Sequence, residues 1–278
     1  MKTKNFFTHL PMSSRNRLAR VTTKLIAFLG LAVYSFPTSA AENDTVCREL
    51  AMVPIIAHRV PGAYGSIWQT HLAITNHSAD PVGVLGHGAC QFNPCQPPDP
   101  IKAESTIFPR VYTPYLEVDC ARAADVSFQL RVQDLSRELE TWGVSIPVVR
   151  EGDLFQGRLI SILDIPNTAQ FRSMLRVYGF DSGKEGQVTI KIYGLEPAVF
   201  EGGRVDELLV EILRTVQVDP LAPTHSPPQF QLPLWLVPEL EGHARLRLEV
   251  TGGPELRLWA FVSATNNDTQ HVTVLTPQ

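Results

Sequence analysis

Short apolar runs, broken by proline and glycine, set the pattern of this chain. In Gln187–Tyr193 (QVTIKIY), Val188, Ile190 and Ile192 alternate with Thr189, Lys191 and Tyr193. In Ala244–Val250 (ARLRLEV), Leu246, Leu248 and Val250 alternate with Arg245, Arg247 and Glu249. A period of two places apolar side chains on one face of an extended strand and polar ones on the other, which is how a half-buried antiparallel strand reads. Comparable segments recur at Val53–Ala57, Ile67–Thr75, Val126–Val132, Ser145–Val149, Leu159–Leu163, Phe171–Phe180, Leu256–Ala264 and His271–Leu275. Many short strands with turn residues between them predict an all-β sandwich or barrel.

Two segments carry a mixed signal. Arg204–Val216 (RVDELLVEILRTV) places Val205, Leu208, Leu209, Ile212, Leu213 and Val216 on one helical stripe, yet Val210, Ile212, Val216 and Val218 also fit a strand. In an all-β context the strand from about Val210 is favoured, and 204–218 remains undecided between helix and strand. Gln133–Gly143 has room for one helical turn, stopped by Gly143.

The chain also echoes itself. VPII at Val53–Ile56 returns as IPVV at Ile146–Val149, and IWQTHLAITN (Ile67–Asn76) is answered by FRSMLRVYGF (Phe171–Phe180). From Trp68 and from Phe171 the order is aromatic, polar, small hydroxyl, any residue, Leu, any residue, β-branched. A spacing of about 100 residues suits two tandem sandwich domains. The expected division is a leader over 1–41, a first domain over 42–143 and a second over 144–278, with the boundary near Thr141–Ser145.

The leader stands apart in composition. Residues 1–40 carry six Lys or Arg and no acidic residue, followed by the apolar run Leu25–Tyr34 and small residues around Ser39–Ala41. This is the layout of a cleaved signal peptide, and the run falls short of the ~20 residues that span a bilayer. Export to the periplasm or the exterior is expected, with no integral membrane segment once the leader is removed. Removal also changes the net charge from −4 to −10, leaving 18 basic against 28 acidic residues. Nucleic acid is therefore disfavoured as a partner, because it requires a basic footprint.

Four cysteines in an exported chain favour disulfides. Cys90 and Cys95 flank a short turn-like QFNP, so the favoured pairing is Cys90–Cys95 as a local staple, with Cys47–Cys120 closing a long loop. A metal site is the competing reading, either at His87, Cys90 and Cys95, whose spacing matches no common zinc pattern, or at His71, His87 and Cys90.

The opening VPIIAHRVPGAYGS (Val53–Ser66) and the ending FVSATNNDTQHVTVLTP (Phe261–Pro277) resemble those of uncharacterised exported bacterial proteins with tandem immunoglobulin- or fibronectin-like β-sandwich domains. The resemblance implies two Ig-like sandwiches. It rests on strand and turn patterns and transfers no catalytic residue.

Candidate chemistry is sparse. Ser66, in AYGSIW, lacks the Gly-x-Ser-x-Gly strand-to-helix turn of a hydrolase nucleophile. Asp119, Asp125, Asp134, Glu138 and Glu140 are acidic enough for glycoside hydrolysis but show no pairing signal. Trp68, Trp142, Trp235 and Trp259 would form a carbohydrate platform if exposed in a row, although the matched positions of Trp68 and Phe171 favour core packing. The irregular, proline-rich Ser226–Gly242 offers Leu234, Trp235 and Leu236 as an interaction surface, and the turn after Asn76 offers His77 and Asp80. The expectation is a non-enzymatic structural, adhesive or binding protein, without cofactor, whose partner is a protein or surface polymer. A periplasmic chaperone that binds extended strands of fibre subunits is the first alternative, with Glu104–Tyr112, Lys102 and Arg110 as its candidate features. A carbohydrate- or metal-binding sandwich is the second.

Overall fold

The computed structural model describes residues 47–86, 99–110, 112–137, 143–180, 185–196, 205–217 and 229–278. The expected leader, Cys90, Cys95, His87 and Trp142 lie outside these residues. The protein is all-β, with antiparallel sheets linked by 3-10 turns, and none of the described helices is long and apolar enough to cross a membrane.

The first nine strands are β1 (Arg48–Met52), β2 (His58–Pro61), β3 (Ile67–Asn76), β4 (Val84–Gly86), β5 (Ser105–Ile107), β6 (Tyr115–Asp119), β7 (Val126–Asp134), β8 (Val144–Ile146) and β9 (Val149–Arg150). They make two sheets. Sheet I runs β4-β6-β1-β9; sheet II runs β2-β3-β7-β8, with β5 also paired to β3. Even-numbered positions of β3 and β7 point inward, so Leu72, Ile74, Leu130 and Val132 meet Met52 and Val118 of sheet I in one apolar cluster. The Cys47–Cys120 disulfide closes the end of this cluster beside the Arg48↔Asp119 pair of β1 and β6.

The IPVV segment, expected to open a second domain, belongs to these sheets. Val144–Ile146 pairs with β7 and Val149–Arg150 with β1. Val53–Ala57 is not a strand. VPII carries the chain from sheet I across to sheet II, and IPVV carries it back from β8 to β9. That part of the echo therefore marks two crossings between one pair of sheets. Thr70 anchors the first crossing, with its Oγ1 accepting from Ala57 N (2.9 Å) and donating to Ile55 O (3.1 Å).

The remaining strands are β10 (Phe155–Gln156), β11 (Ile160–Pro166), β12 (Phe171–Gly179), β13 (Glu185–Glu196), β14 (Val205–Gln217), β15 (Gln229–Pro233), β16 (Arg245–Gly252), β17 (Arg257–Asn266) and β18 (Val272–Leu275). Sheet III runs β10-β17-β12-β15, with β18 also on β17; sheet IV runs β11-β16-β13-β14. Val188, Ile190 and Ile192 of β13 and Leu246, Leu248 and Val250 of β16 are fully buried, as their alternation predicts. They pack on Leu175, Val177, Ala260 and Val262 of sheet III. The undecided segment is strand over its described residues, Val205–Gln217 (β14), with a bulge opposite Ile192/Tyr193. The bulge takes up one extra residue and reconciles the two competing periods.

Trp68 and Phe171, by contrast, do hold matching places. Each stands at the start of an inner strand, β3 or β12, four residues before a buried Leu72 or Leu175. The echoed hydroxyls are both buried; Ser173 Oγ donates to Pro166 O (2.7 Å), tying β12 back to β11 as Thr70 ties β3 to the segment before it.

Sheet III is covered on both faces. Leu258, Ala260 and Val262 face sheet IV, while Trp259 and Phe261, with Tyr178 and Phe180, join the apolar cluster of sheets I and II. Tyr178 and Phe261 stack at 6.0 Å and Trp259 lies 5.2 Å from Phe261. This explains the unbroken buried run Leu258–Val262, since a strand with two apolar neighbours has no solvent face to alternate toward. The described residues accordingly cluster as one compact unit.

Candidate binding cleft

On β12 the side chains facing sheet II are Arg172, Met174, Arg176 and Tyr178, alternating with the buried Ser173, Leu175 and Val177. Tyr178 fills its place in the core. Nearer the start of the strand the packing opens into a cavity of about 400 Å³. Its apolar wall includes Ile56, Trp68, Val144, Val272 and Val274, with Trp235 among the lining residues. Arg172 and Arg176 line it too, and none of its described lining residues is an Asp or Glu.

The two guanidinium groups are held by neutral partners. Arg176 Nη1 donates to Ser263 Oγ (2.6 Å), and its charge lies 5.5 Å from the centre of the Phe261 ring. Burial lowers the Arg176 pKa, against the nearby Tyr178, which raises it. Arg172 Nη2 donates to Gln270 Oε1 (3.0 Å), its guanidinium sits 5.0 Å from the Tyr64 ring centre, and its Nε is buried without a hydrogen-bond partner. Other partly buried arginines meet carboxylates: Arg150 with Glu49 at 3.0 Å, Arg247 with Asp206 at 2.6 Å, and Arg257 with Glu151.

Backbone strain collects around Arg172. Five described non-glycine residues have positive φ, and Tyr64 (φ 56°) and Gln270 (φ 57°) both touch its guanidinium. A left-handed backbone is costly for such side chains and persists where the surroundings enforce it, often at functional sites. The Gly62–Ser66 turn that carries Tyr64 closes with Gly62 N donating to Ser66 O (2.8 Å). Gly62 is required there, because a Cβ would stand 2.4 Å from Trp68 Nε1.

The candidates drawn from sequence divide clearly. Ser66 is 7 % exposed behind this turn and lines the cleft. Trp259 is buried, Trp68 is half-buried against the core and Trp235 is 44 % exposed, so the described tryptophans make no exposed row. Leu234, expected on an interaction surface, is instead fully buried in the second core cluster; Leu236 is 68 % exposed. Trp235 and Arg172 also line a neighbouring hollow of about 600 Å³. His77 Nε2 bonds Ser127 Oγ (2.7 Å), and the exposed Asp80 lies 3.6 Å from Arg122. His71 faces outward into a separate hollow with His58, Arg110 and Tyr112. No described group of three His, Cys, Asp or Glu side chains could hold a metal.

The acidic candidates hold structure together. Asp119 caps the Cys120–Asp125 turn through Ala121 N, and Asp125 pairs with Arg122 at 2.9 Å. Asp134 accepts from Ile67 N, Ser136 N and Ser136 Oγ. Glu138 and Glu140 lie outside the described residues. The residues that sequence reasoning missed are Arg172 and Arg176, which it did not single out within the Phe171–Phe180 segment.

The chain matches no protein-family model, no curated protein and no solved structure.

Proposed function

We propose that this is an exported, non-enzymatic binding protein built of two Ig-like sandwiches, and that it receives its ligand in the cleft beside Trp68, Val144 and Arg176. The observation that carries the reading is the cavity itself. About 400 Å³ of apolar space with a few convergent polar groups is what small-molecule sites offer, and such sites range over ~300–1,000 Å³. The Cys47–Cys120 disulfide suits an oxidising compartment, which supports export.

The neutral apolar fluorophore N-phenyl-1-naphthylamine tests the cleft. The native chain should bind it saturably at about one site, and Val144→Trp, which fills the apolar wall, should weaken that binding at least tenfold while retaining a cooperative melt. If Val144→Trp misfolds, Val272→Phe on the facing strand serves in its place. Absence of saturable binding, or equal binding by a folded filled variant, overturns the reading.

A further inference from the structure

We infer that the ligand of this cleft is a small apolar carboxylic acid, its hydrocarbon body against Trp68, Val144 and Val274 and its carboxylate on Arg176. The inference rests on the cleft being the binding site and adds the chemistry of its occupant.

Charge drives the assignment. A guanidinium held away from water requires compensation, which at Arg150, Arg247 and Arg257 comes from carboxylates. Among the described residues the lining of the cleft supplies no carboxylate, yet it supplies two arginines. Ser263 occupies one terminal nitrogen of Arg176, with no carboxylate paired to it among the described residues, and Arg172 Nε is buried without a hydrogen-bond partner. Arginine presents a planar fork of N–H groups matched to the two oxygens of a carboxylate. Four residues along one strand separate the two arginines by roughly 13 Å at the backbone, at about 3.3 Å per residue, with Met174 between them. One carboxylate at Arg176 therefore leaves apolar wall along its length toward Trp235. Arg172 stands at the far end, where the cleft adjoins the neighbouring hollow. The strained Tyr64 and Gln270 hold Arg172 in place, so the cationic rim is fixed before the ligand arrives.

Displacement of N-phenyl-1-naphthylamine from the full chain provides the test. Decanoate should displace the probe about 10- to 100-fold more effectively than decan-1-ol, the range of a charge-assisted hydrogen bond. Arg176→Gln should abolish that preference by weakening decanoate alone, and Arg176→Lys should restore part of it. An N-acetylated apolar tripeptide with a free C-terminus, compared with its amide, separates a free acid from a peptide end. Equal displacement by decanoate and decanol overturns the carboxylate assignment while leaving the cleft as a binding site. Displacement by the peptide acid but not by decanoate overturns the small-molecule assignment. If Arg176→Gln fails to fold, Arg176→Lys with the acid-to-alcohol ratio of the native chain decides. A native ratio near one refutes the inference outright.

Discussion

Replacing Asn76 should reveal how the turn after β3 is held. Asn76 is fully buried at the strand end; its Nδ2 donates to Asp80 O (2.7 Å), Ile101 O (3.1 Å) and Lys102 O (3.1 Å). Its Oδ1 accepts from Ser78 N (2.9 Å) and Ser78 Oγ (2.8 Å). Two amide hydrogens serve three carbonyls, so about four independent hydrogen bonds are made. Ile101 O keeps a second donor in Val82 N after the amide is lost. At about 1 kcal/mol net per bond, Asn76→Ala should cost ~3–4 kcal/mol. Asn76→Asp is the sharper probe, because it preserves shape and both Ser78 contacts but turns a carboxylate oxygen on the carbonyls. At pH 7 it should be at least as unstable as the alanine variant. Those carbonyls disfavour the charged form, so the folded-state pKa of the new acid lies above its unfolded value of about 3.9. Its deficit relative to the native chain should therefore shrink as pH falls through the folded pKa. Urea unfolding followed by tryptophan fluorescence at pH 7 and pH 4.5 measures both effects. An aspartate variant within 1 kcal/mol of the native chain at pH 7, or one whose deficit grows on acidification, would refute the donor-network account.

Two further substitutions test the frame. Cys47→Ser/Cys120→Ser opens a loop with a sequence separation of 73 and should lower unfolding free energy by about 4 kcal/mol on the loop-entropy estimate; a loss below about 1 kcal/mol in urea titrations would mean that other contacts already restrain the unfolded chain. Burial raises the Asp134 pKa, but hydrogen bonds from Ile67 and Ser136 and the charge of Arg137 outweigh it, and the net pKa lies below the ordinary carboxylate value. Its stabilisation is thus present above the unfolded pKa of about 3.9 and is lost as pH falls through the depressed folded value. Asp134→Asn should be less stable than the native chain at neutral pH and converge on it in acid; parallel stability curves would show that the charge is irrelevant.

Alternation gave direct access to the strands with one apolar face. Val188, Ile190 and Ile192 against Thr189, Lys191 and Tyr193 is a local pattern, and burial follows it residue by residue. The long cysteine pair was also legible, from count and spacing. The role of IPVV was not, because a crossing segment and an opening strand share the same apolar composition. Only long-range pairing with β1 and β7 distinguishes them. Leu234 failed for a related reason. Three adjacent apolar residues in a proline-rich stretch suggest a surface, but the Leu234–Leu236 turn rotates the first inward and the next two outward.

The cleft was hidden by the rule that exposed the strands. Arg172, Met174 and Arg176 alternate with buried residues, so a reading that allows one core per strand assigns them to solvent. The contrary signal lay in the same register: Tyr178 continues that face on β12, and Trp259 and Phe261 stand opposite Tyr178 and Arg176 on β17. Three large aromatic side chains on a supposed solvent face imply a second covering layer, and Leu258–Val262 without alternation implies it again. Once sheet II supplies that layer, the arginines on the same face are drawn out of water with it. Their neighbours across the cleft are mostly apolar core-facing positions of sheet II, and their polar partners Ser263 and Gln270 are neutral. The cleft is thus where two-sided packing of sheet III stops before it is complete, with cations already in place.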